Sequence, residues 1–186
     1  MKRKDQGLMH YAFSMILISW AVLMIFLLLL LLRAERLKAY LQDCMTQAGL
    51  SALLIEPYTY GMSGEVIFAD VQEVEQIYLK YLETALGSSE NQEKLGIAGE
   101  VVLTQLIVYE KTTDGIRMNE RQEDGSWLSA VYAAGETVCA PDGTQIVSAA
   151  IYAAVRVPVL VWGEVTVEIE RQHCVDIVCL FREDMI

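Results

Sequence analysis

The chain has 186 residues, of which 54% are hydrophobic and 21% charged, and it carries a net charge of −11 at pH 7. This length allows one modest domain, or a domain with an anchor, and excludes a large multidomain enzyme. Residues 33–186 hold 11 basic and 24 acidic residues, a net charge of −13, while the apolar excess lies in residues 8–32. So acidic a surface repels phosphate backbones, which excludes nucleic-acid binding.

Residues 8–32 contain no charged residue. As an α-helix this run would be about 37 Å long, which is more than the ~30 Å hydrocarbon core of a bilayer requires. A cleaved secretory signal is the alternative, because Lys2-Arg3-Lys4 provides a basic start, but such a signal has a shorter apolar region that ends in small residues. We predict a basic leader at 1–7, a transmembrane helix at 8–32, and the lipid bilayer as a partner.

The basic residues on the two flanks of this helix are equal in number, so they barely favour one orientation in the membrane over the other. Three basic residues flank each end of the run, namely Lys2, Arg3 and Lys4 on one side and Arg33, Arg36 and Lys38 on the other. Long domains are translocated largely regardless of charge. We therefore expect a single-pass protein of the cell membrane with its N-terminus in the cytoplasm and residues 33–186 outside.

Residues 33–56 are predicted to continue the membrane helix as an amphipathic helix. Apolar residues recur there at steps of four, three and four, and no proline occurs before Pro57. The members of this stripe are Leu37, Leu41, Cys44 and Ala48. Such a stripe is expected to pack on a neighbour, which is either the chain's own domain or another subunit.

Residues 57–186 are predicted to form an extracytoplasmic α+β domain. A helix is expected over 71–86, because Asp70 can cap its start and Gly87 fits its end. Beyond residue 97 the pattern changes to β-strands that form an antiparallel sheet. The expected strands cover residues 101–109, 127–133, 150–162 and 164–170, with a closing strand that includes Val175. Pro158 is expected at an edge or a bulge, and His173 in a break between the last two strands.

The four cysteines, Cys44, Cys139, Cys174 and Cys179, follow no metal-binding spacing. One interpretation is that they are small buried apolar side chains. The other is a disulfide from Cys139 to either Cys174 or Cys179, which requires an oxidising compartment.

The sequence offers little catalytic chemistry, since it has no glycine-rich phosphate loop, nucleophile elbow or zinc-protease motif. His173 and Cys174 are adjacent, but neighbours on a strand point to opposite faces and cannot form a nucleophile–base pair. The acidic group Glu164, Glu168 and Glu170 is typical of a solvated strand face. We predict no enzymatic activity, no catalytic or metal-binding residues, no cofactor and no small-molecule substrate.

The whole pattern resembles pilin-like subunits, and more specifically the TadE/TadG-like minor pilins of Tad-type (tight adherence) secretion systems of Gram-positive bacteria. The resemblance rests on the basic leader, the long apolar helix, the small β-rich head and several short strings. These strings are Leu37-Lys38-Ala39-Tyr40-Leu41-Gln42-Asp43, the helix around Asp70 to Leu86, Ala140-Pro141-Asp142-Gly143-Thr144, Ser148-Ala149-Ala150-Ile151-Tyr152-Ala153-Ala154-Val155, and Val175-Asp176-Ile177.

The resemblance implies a non-enzymatic, membrane-anchored component of a Tad-type pilus or related secretion apparatus. Such a subunit would assemble with other pilin-like subunits through its N-terminal helix. Prepilin peptidases cut after a small residue that precedes the apolar helix, which here implies a cut between Gly7 and Leu8. The fifth residue after that cut is Ala12, where processed substrates commonly carry Glu, and this favours an unprocessed accessory or initiating subunit. The alternative function is a bitopic protein whose acidic outer domain binds a protein or cell-wall ligand.

Overall fold

The computed structural model describes residues 2–53, 62, 67–68, 70–87, 92, 95–162 and 165–176, with the side chains of 2–10, 12 and 162 outside the description. The predicted α+β fold is confirmed: a long N-terminal helix is followed by a second helix and a five-stranded antiparallel sheet. By compactness the chain divides into two units, residues 1–39 and residues 40–186.

Helix α1 spans Lys2–Ala52 without interruption. The predicted leader at 1–7 is therefore helical from Lys2 onwards, which is physically reasonable because those residues include no proline. The last helical residues are held by the bond from the Leu53 amide to the Gly49 carbonyl, 3.0 Å long. Residues 54–61, which include Pro57, lie outside the described part of the chain.

Helix α2 spans Val71–Leu86, as the sequence predicts. The Asp70 side chain accepts a hydrogen bond of 2.9 Å from the Gln72 amide, which satisfies one of the free N–H groups at the start of the helix. At the other end the Gly87 amide donates to the Glu83 carbonyl over 2.7 Å. The buried face of α2 repeats every four residues and consists of Val74, Tyr78, Leu82 and Leu86.

The main sheet has the strand order β3-β2-β1-β6-β7, and every pair of neighbours is antiparallel. Its strands are β1 (Val102–Thr112), β2 (Gly115–Arg121), β3 (Trp127–Ala133), β6 (Ala150–Trp162) and β7 (Val165–Asp176). A separate two-stranded hairpin is formed by β4 (Val138–Cys139) and β5 (Gln145–Ile146). Strands β3 and β7 are consequently the two edges of the main sheet.

The domain of residues 40–186 has a core on each face of this sheet. One face carries Leu106, Val108 and Val155, all fully buried, and it is the face that α1 and α2 contact. The opposite face is covered by the small hairpin. The buried residues of that second cluster are Ile107, Tyr109, Val138, Ala140, Ile146, Ala150 and Tyr152. The sheet is thus sandwiched, with side chains of alternate positions entering opposite cores.

Two details of β6 and β7 explain differences from the sequence prediction. Pro158 lies in a central strand, but β6 has there run past the last residue of β1 that pairs with it, and the Pro158 carbonyl accepts from the Ala98 amide at 2.9 Å. The missing N–H points to that same side, so no bond to β7 is lost. Strand β7 runs unbroken through His173, so the predicted break at this residue is wrong.

Candidate functional site

The first candidate site is the N-terminal part of α1, where apolar side chains lie open to the surroundings. Large apolar residues between Tyr11 and Leu32 are mostly exposed, by 45% to 68% of their surface. A helix over these residues is about 33 Å long, enough to cross the ~30 Å hydrocarbon core. Within the described residues α1 is the one helix that is long and apolar enough to span a membrane.

The predicted cleavage site lies at the start of this helix. Gly7 and Leu8 both have helical backbone within α1, and their side chains are outside the description. Cleavage between them therefore stays a prediction.

The second candidate site, the predicted assembly stripe, is not open to a partner. Leu37, Leu41, Cys44 and Ala48 are only 0–5% exposed within this single chain. Met45 and Ala52, which the sequence analysis did not single out, are fully buried as well. Of the two neighbours considered for the stripe, the structure supplies the chain's own domain for the residues from Leu41 onwards. Substitutions there would report on folding rather than on assembly alone.

Polar contacts fasten the buried end of α1 to edge strand β7. The Arg171 Nη2 atom donates to Gln42 Oε1 over 2.6 Å. One turn further along α1, Thr46 Oγ1 lies 2.9 Å from His173 Nε2 and donates its own proton to the Gln42 carbonyl over 2.8 Å. The Thr46 oxygen therefore accepts from the imidazole, which places a proton on Nε2 of His173. We call this group of four side chains the α1–β7 clasp.

The position of His173 in the α1–β7 clasp explains the direction in which its pKa is shifted. Burial lowers the pKa of His173, and the positive charge of Arg171 acts in the same direction, while Asp142 opposes them. The neutral imidazole already satisfies Thr46 through Nε2–H, so the hydrogen bond does not require a charged ring. His173 is thus a half-buried structural residue that holds helix and sheet together.

The three cysteines in the described part of the chain differ in burial. Cys44 is buried, and its burial raises the pKa of the thiol, with a further contribution from Asp43 and opposition from the Tyr40 hydrogen bond. Cys139 is exposed and Cys174 half-buried, and no disulfide joins these two cysteines. Cys179 lies outside the described residues, so pairings with it stay a prediction.

Across the part of the chain that the structure describes, we find no group of side chains arranged for metal binding or for nucleophilic catalysis. Among the described residues no group of three His, Cys, Asp or Glu side chains could hold a metal ion. His173 faces α1, whereas Cys174 packs on the opposite cluster, as expected for neighbours on one strand. Glu168 and Glu170 lie 3.6 and 3.7 Å from the guanidinium of Arg156 on β6. Glu164, the third member of that predicted acidic face, is outside the description.

One buried polar group was missed by the sequence analysis. Glu110 on β1 is only 3% exposed, and its carboxylate accepts hydrogen bonds from the Phe68 amide at 2.9 Å and from Asn119 Nδ2 at 3.0 Å. Arg117 Nη1 lies 3.6 Å away, and Asn119 in turn accepts from Ser129 Oγ. All of these partners belong to the chain itself, so the network attaches the segment before α2 to the sheet. A single Glu after a β-branched run gives no signal of such a role.

No protein-family model, curated protein or solved structure matches this chain. Function must therefore be inferred from the geometry above: an open apolar helix, a folded acidic domain and a clasp between helix and sheet.

Proposed function

We propose that this protein is a non-enzymatic, membrane-anchored, pilin-like subunit of a Tad-type pilus or a related secretion apparatus. One observation carries the proposal: a single 51-residue helix is openly apolar in its first part and built into a small α+β domain at its other end. An apolar helix held in a bilayer can pass into a filament core, because both environments bury the same side chains.

The length of the domain supports an outward location, because long domains are translocated largely regardless of charge, and its acidic charge keeps it away from the lipid surface. Residues 33–186 carry a net charge of −13, which anionic headgroups repel and which keeps the domain soluble at the membrane surface. We propose that the N-terminus lies in the cytoplasm and that residues 33–186 lie outside the cell membrane, on a filament if one is assembled.

Assembly would use the exposed apolar part of α1, since the stripe from Leu41 onwards is occupied by the chain's own domain. Other pilin-like subunits would replace lipid around Tyr11 to Leu32. This differs from assembly through the whole helix up to Ala48, because the stripe residues Leu41, Cys44 and Ala48 are buried in the chain's own domain.

Intact-mass spectrometry of native membranes and of a sheared surface fraction tests the proposal. We expect the protein in both fractions, either complete or shortened by residues 1–7. Gly7→Leu should block shortening if it occurs, while Gly7→Ala keeps a small residue before the cut and serves as the matched control. Material found only in membranes, with no co-purifying membrane-helix partner, would contradict the proposal. It would favour a bitopic protein whose outer domain binds a protein or cell-wall ligand.

A further inference from the structure

The two edge strands of the main sheet differ in how well they are protected against pairing with another strand. Edge strand β7 carries Glu168, Glu170 and Arg171 and is fastened to α1 by the clasp. Edge strand β3 is Trp-Leu-Ser-Ala-Val-Tyr-Ala over Trp127–Ala133, seven residues with no charge and no proline. Exposed edges normally carry charges, proline, a bulge or a covering element that prevent pairing with another strand. Within the described part of the chain, none of these protects the middle of β3.

The hydrogen-bond register identifies which backbone groups of β3 point away from the sheet. Bonded pairs flank the strand at both ends, from the Ala134 amide to Asp114 and from the Gln122 amide to Ser126. Because bonded positions alternate, Leu128, Ala130 and Tyr132 bond to β2. Trp127, Ser129 and Val131 therefore direct their N–H and C=O groups outward, and the described residues provide no backbone partner for them. Such groups are a ready template for one more strand.

The Glu136 side chain ends the open part of the edge on its C-terminal side. The Ala133 amide donates to Glu136 Oε2 over 3.1 Å, and the Glu136 amide donates back to the Ala133 carbonyl over 3.1 Å. The outward groups of Ala133 are thus already satisfied. The open part of the edge, residues 127–131, includes two exposed apolar side chains. Leu128 is 56% exposed and Val131 is 62% exposed, and they project from opposite faces of the sheet. A docked strand would meet an apolar contact on either face.

Charge selects the occupant of the edge. Carboxylates stand at both ends of β3, Glu123 and Asp124 before it and Asp114 and Glu136 after it. The nearest cations, Arg117 and Arg121 on β2, already lie within ion-pair distance of Glu110 and Glu75. A second copy of β3, paired antiparallel, would bring carboxylates against carboxylates at both ends, and like charges opposite one another are destabilising. A segment with basic ends would meet opposite charge at both.

We propose that the open edge of β3, residues 127–131, binds an extended segment of another protein that has an apolar, alternating centre and Lys or Arg at both ends. Main-chain hydrogen bonds to Trp127, Ser129 and Val131 provide the attachment, and the four carboxylates select the basic ends. This inference rests on the sheet edge alone. It stands or falls independently of the pilin-like assignment, which rests on α1.

The test uses the isotope-labelled full chain in detergent micelles, titrated with the peptide acetyl-Lys-Thr-Val-Thr-Val-Thr-Lys-amide. We expect NMR shift changes and slower hydrogen exchange at the amides of Trp127, Ser129 and Val131. A peptide with Glu in place of both Lys residues should bind at least about fivefold more weakly, and high salt should reduce this difference. Equal binding of both peptides, changes located elsewhere, or no change at all would overturn the proposal.

Two substitutions at one residue separate edge pairing from other binding. Val131→Pro removes an outward N–H without touching a bond to β2, whereas Val131→Thr retains that N–H with a similar shape. We expect the first variant to lose peptide binding and the second to keep it. If Val131→Pro does not fold, Ser129→Pro repeats the test at another outward N–H, with Ser129→Ala as its control because both variants lose the hydroxyl that donates to Asn119. Retained binding in a folded proline variant, or β3 shifts that depend on protein concentration without peptide, would overturn the proposal.

Discussion

The two parts of helix α1 are both rich in apolar residues, yet these residues are exposed in the first part and mostly buried in the second. Between Tyr11 and Leu32 apolar side chains occur on every side of the helix and remain open. From Leu41 to Ala52 most of them form one stripe that is buried in the folded domain, and Leu50 is the one large apolar side chain exposed there. A helix that is apolar all round needs an apolar medium, whereas one with a single stripe needs only one packing face. One continuous helix thus combines a segment that is apolar enough to span a membrane with an element of the domain's core.

The largest expected effect comes from charging the open part of the helix. Leu23→Arg with Leu27→Arg should release the protein from membranes, because each Arg at the centre of a membrane helix costs about 2.5–3.5 kcal/mol. The matched control, Leu50→Arg with Tyr81→Arg, adds the same charge at half-exposed apolar positions of the domain. Membrane flotation measures both variants. Retention of the first variant, or release of the control, would erase the distinction between the two parts.

The next effect compares the same truncation in each part. Leu41→Ala removes a fully buried side chain and should lower the free energy of unfolding of the domain by about 2–5 kcal/mol. Leu28→Ala, at a position 57% exposed, should change it by less than about 0.5 kcal/mol. Thermal unfolding in detergent micelles, followed by near-ultraviolet circular dichroism, measures both. Equal losses would mean that the open part contributes to the domain's core.

A smaller effect tests the close contact of α1 with β7. A Cβ atom added at Gly49 would lie 2.8 Å from Val175 Cγ2, closer than such atoms approach, so Gly49→Ala should cost about 1 kcal/mol net. In a Val175→Ala background the two methyl groups are gone, while the Cβ atom of residue 175, 3.1 Å from the added Cβ, remains. There the same substitution should cost at least about 0.5 kcal/mol less. A double-mutant cycle of unfolding free energies measures this coupling, and additive effects would refute the contact.

The smallest effect is the pH dependence of the clasp. Because the pKa of His173 is lowered in the folded protein, the unfolded chain binds the extra proton first as the pH falls. The contribution of His173 is therefore complete above about pH 6.5, the ordinary pKa of histidine, and is lost as the pH falls toward the lower folded value. His173→Gln should remove this part of the pH slope between pH 7.5 and 5, a slope limited to about 1.4 kcal/mol per pH unit. Identical slopes in both proteins would contradict the role of the histidine.

Periodicity made the elements of this protein predictable, and long-range contacts did not follow from it. Helix α2 and β6 have the bounds that capping residues and β-branched runs predict, because those signals are local. The α1–β7 clasp joins Thr46 to His173 across 127 positions, and no local pattern indicates such a pair. On α2, Tyr81 is 44% exposed although its ring is large and apolar, since the buried residues of this helix follow strict steps of four.

The same division applies to the candidate site. Uniform hydrophobicity is a local signal, so a helix long and apolar enough to span a membrane could be predicted from the sequence. The stripe around Leu41 could not be assigned to its own domain or to a partner, because an amphipathic pattern indicates a packing face without naming what covers it. Likewise, the open edge of β3 depends on strand order, which the spacing of strands along a chain leaves undetermined.

The most direct measurement of the account is photolabelling from the lipid phase. The full chain, reconstituted in lipid nanodiscs with a diazirine-bearing phospholipid, is digested and its labelled residues are mapped by mass spectrometry. We expect label on α1 between Tyr11 and Leu32 and none between Leu41 and Ala52. Label spread evenly over both parts, or absent from both, would contradict the division of this helix into an anchor and a core element.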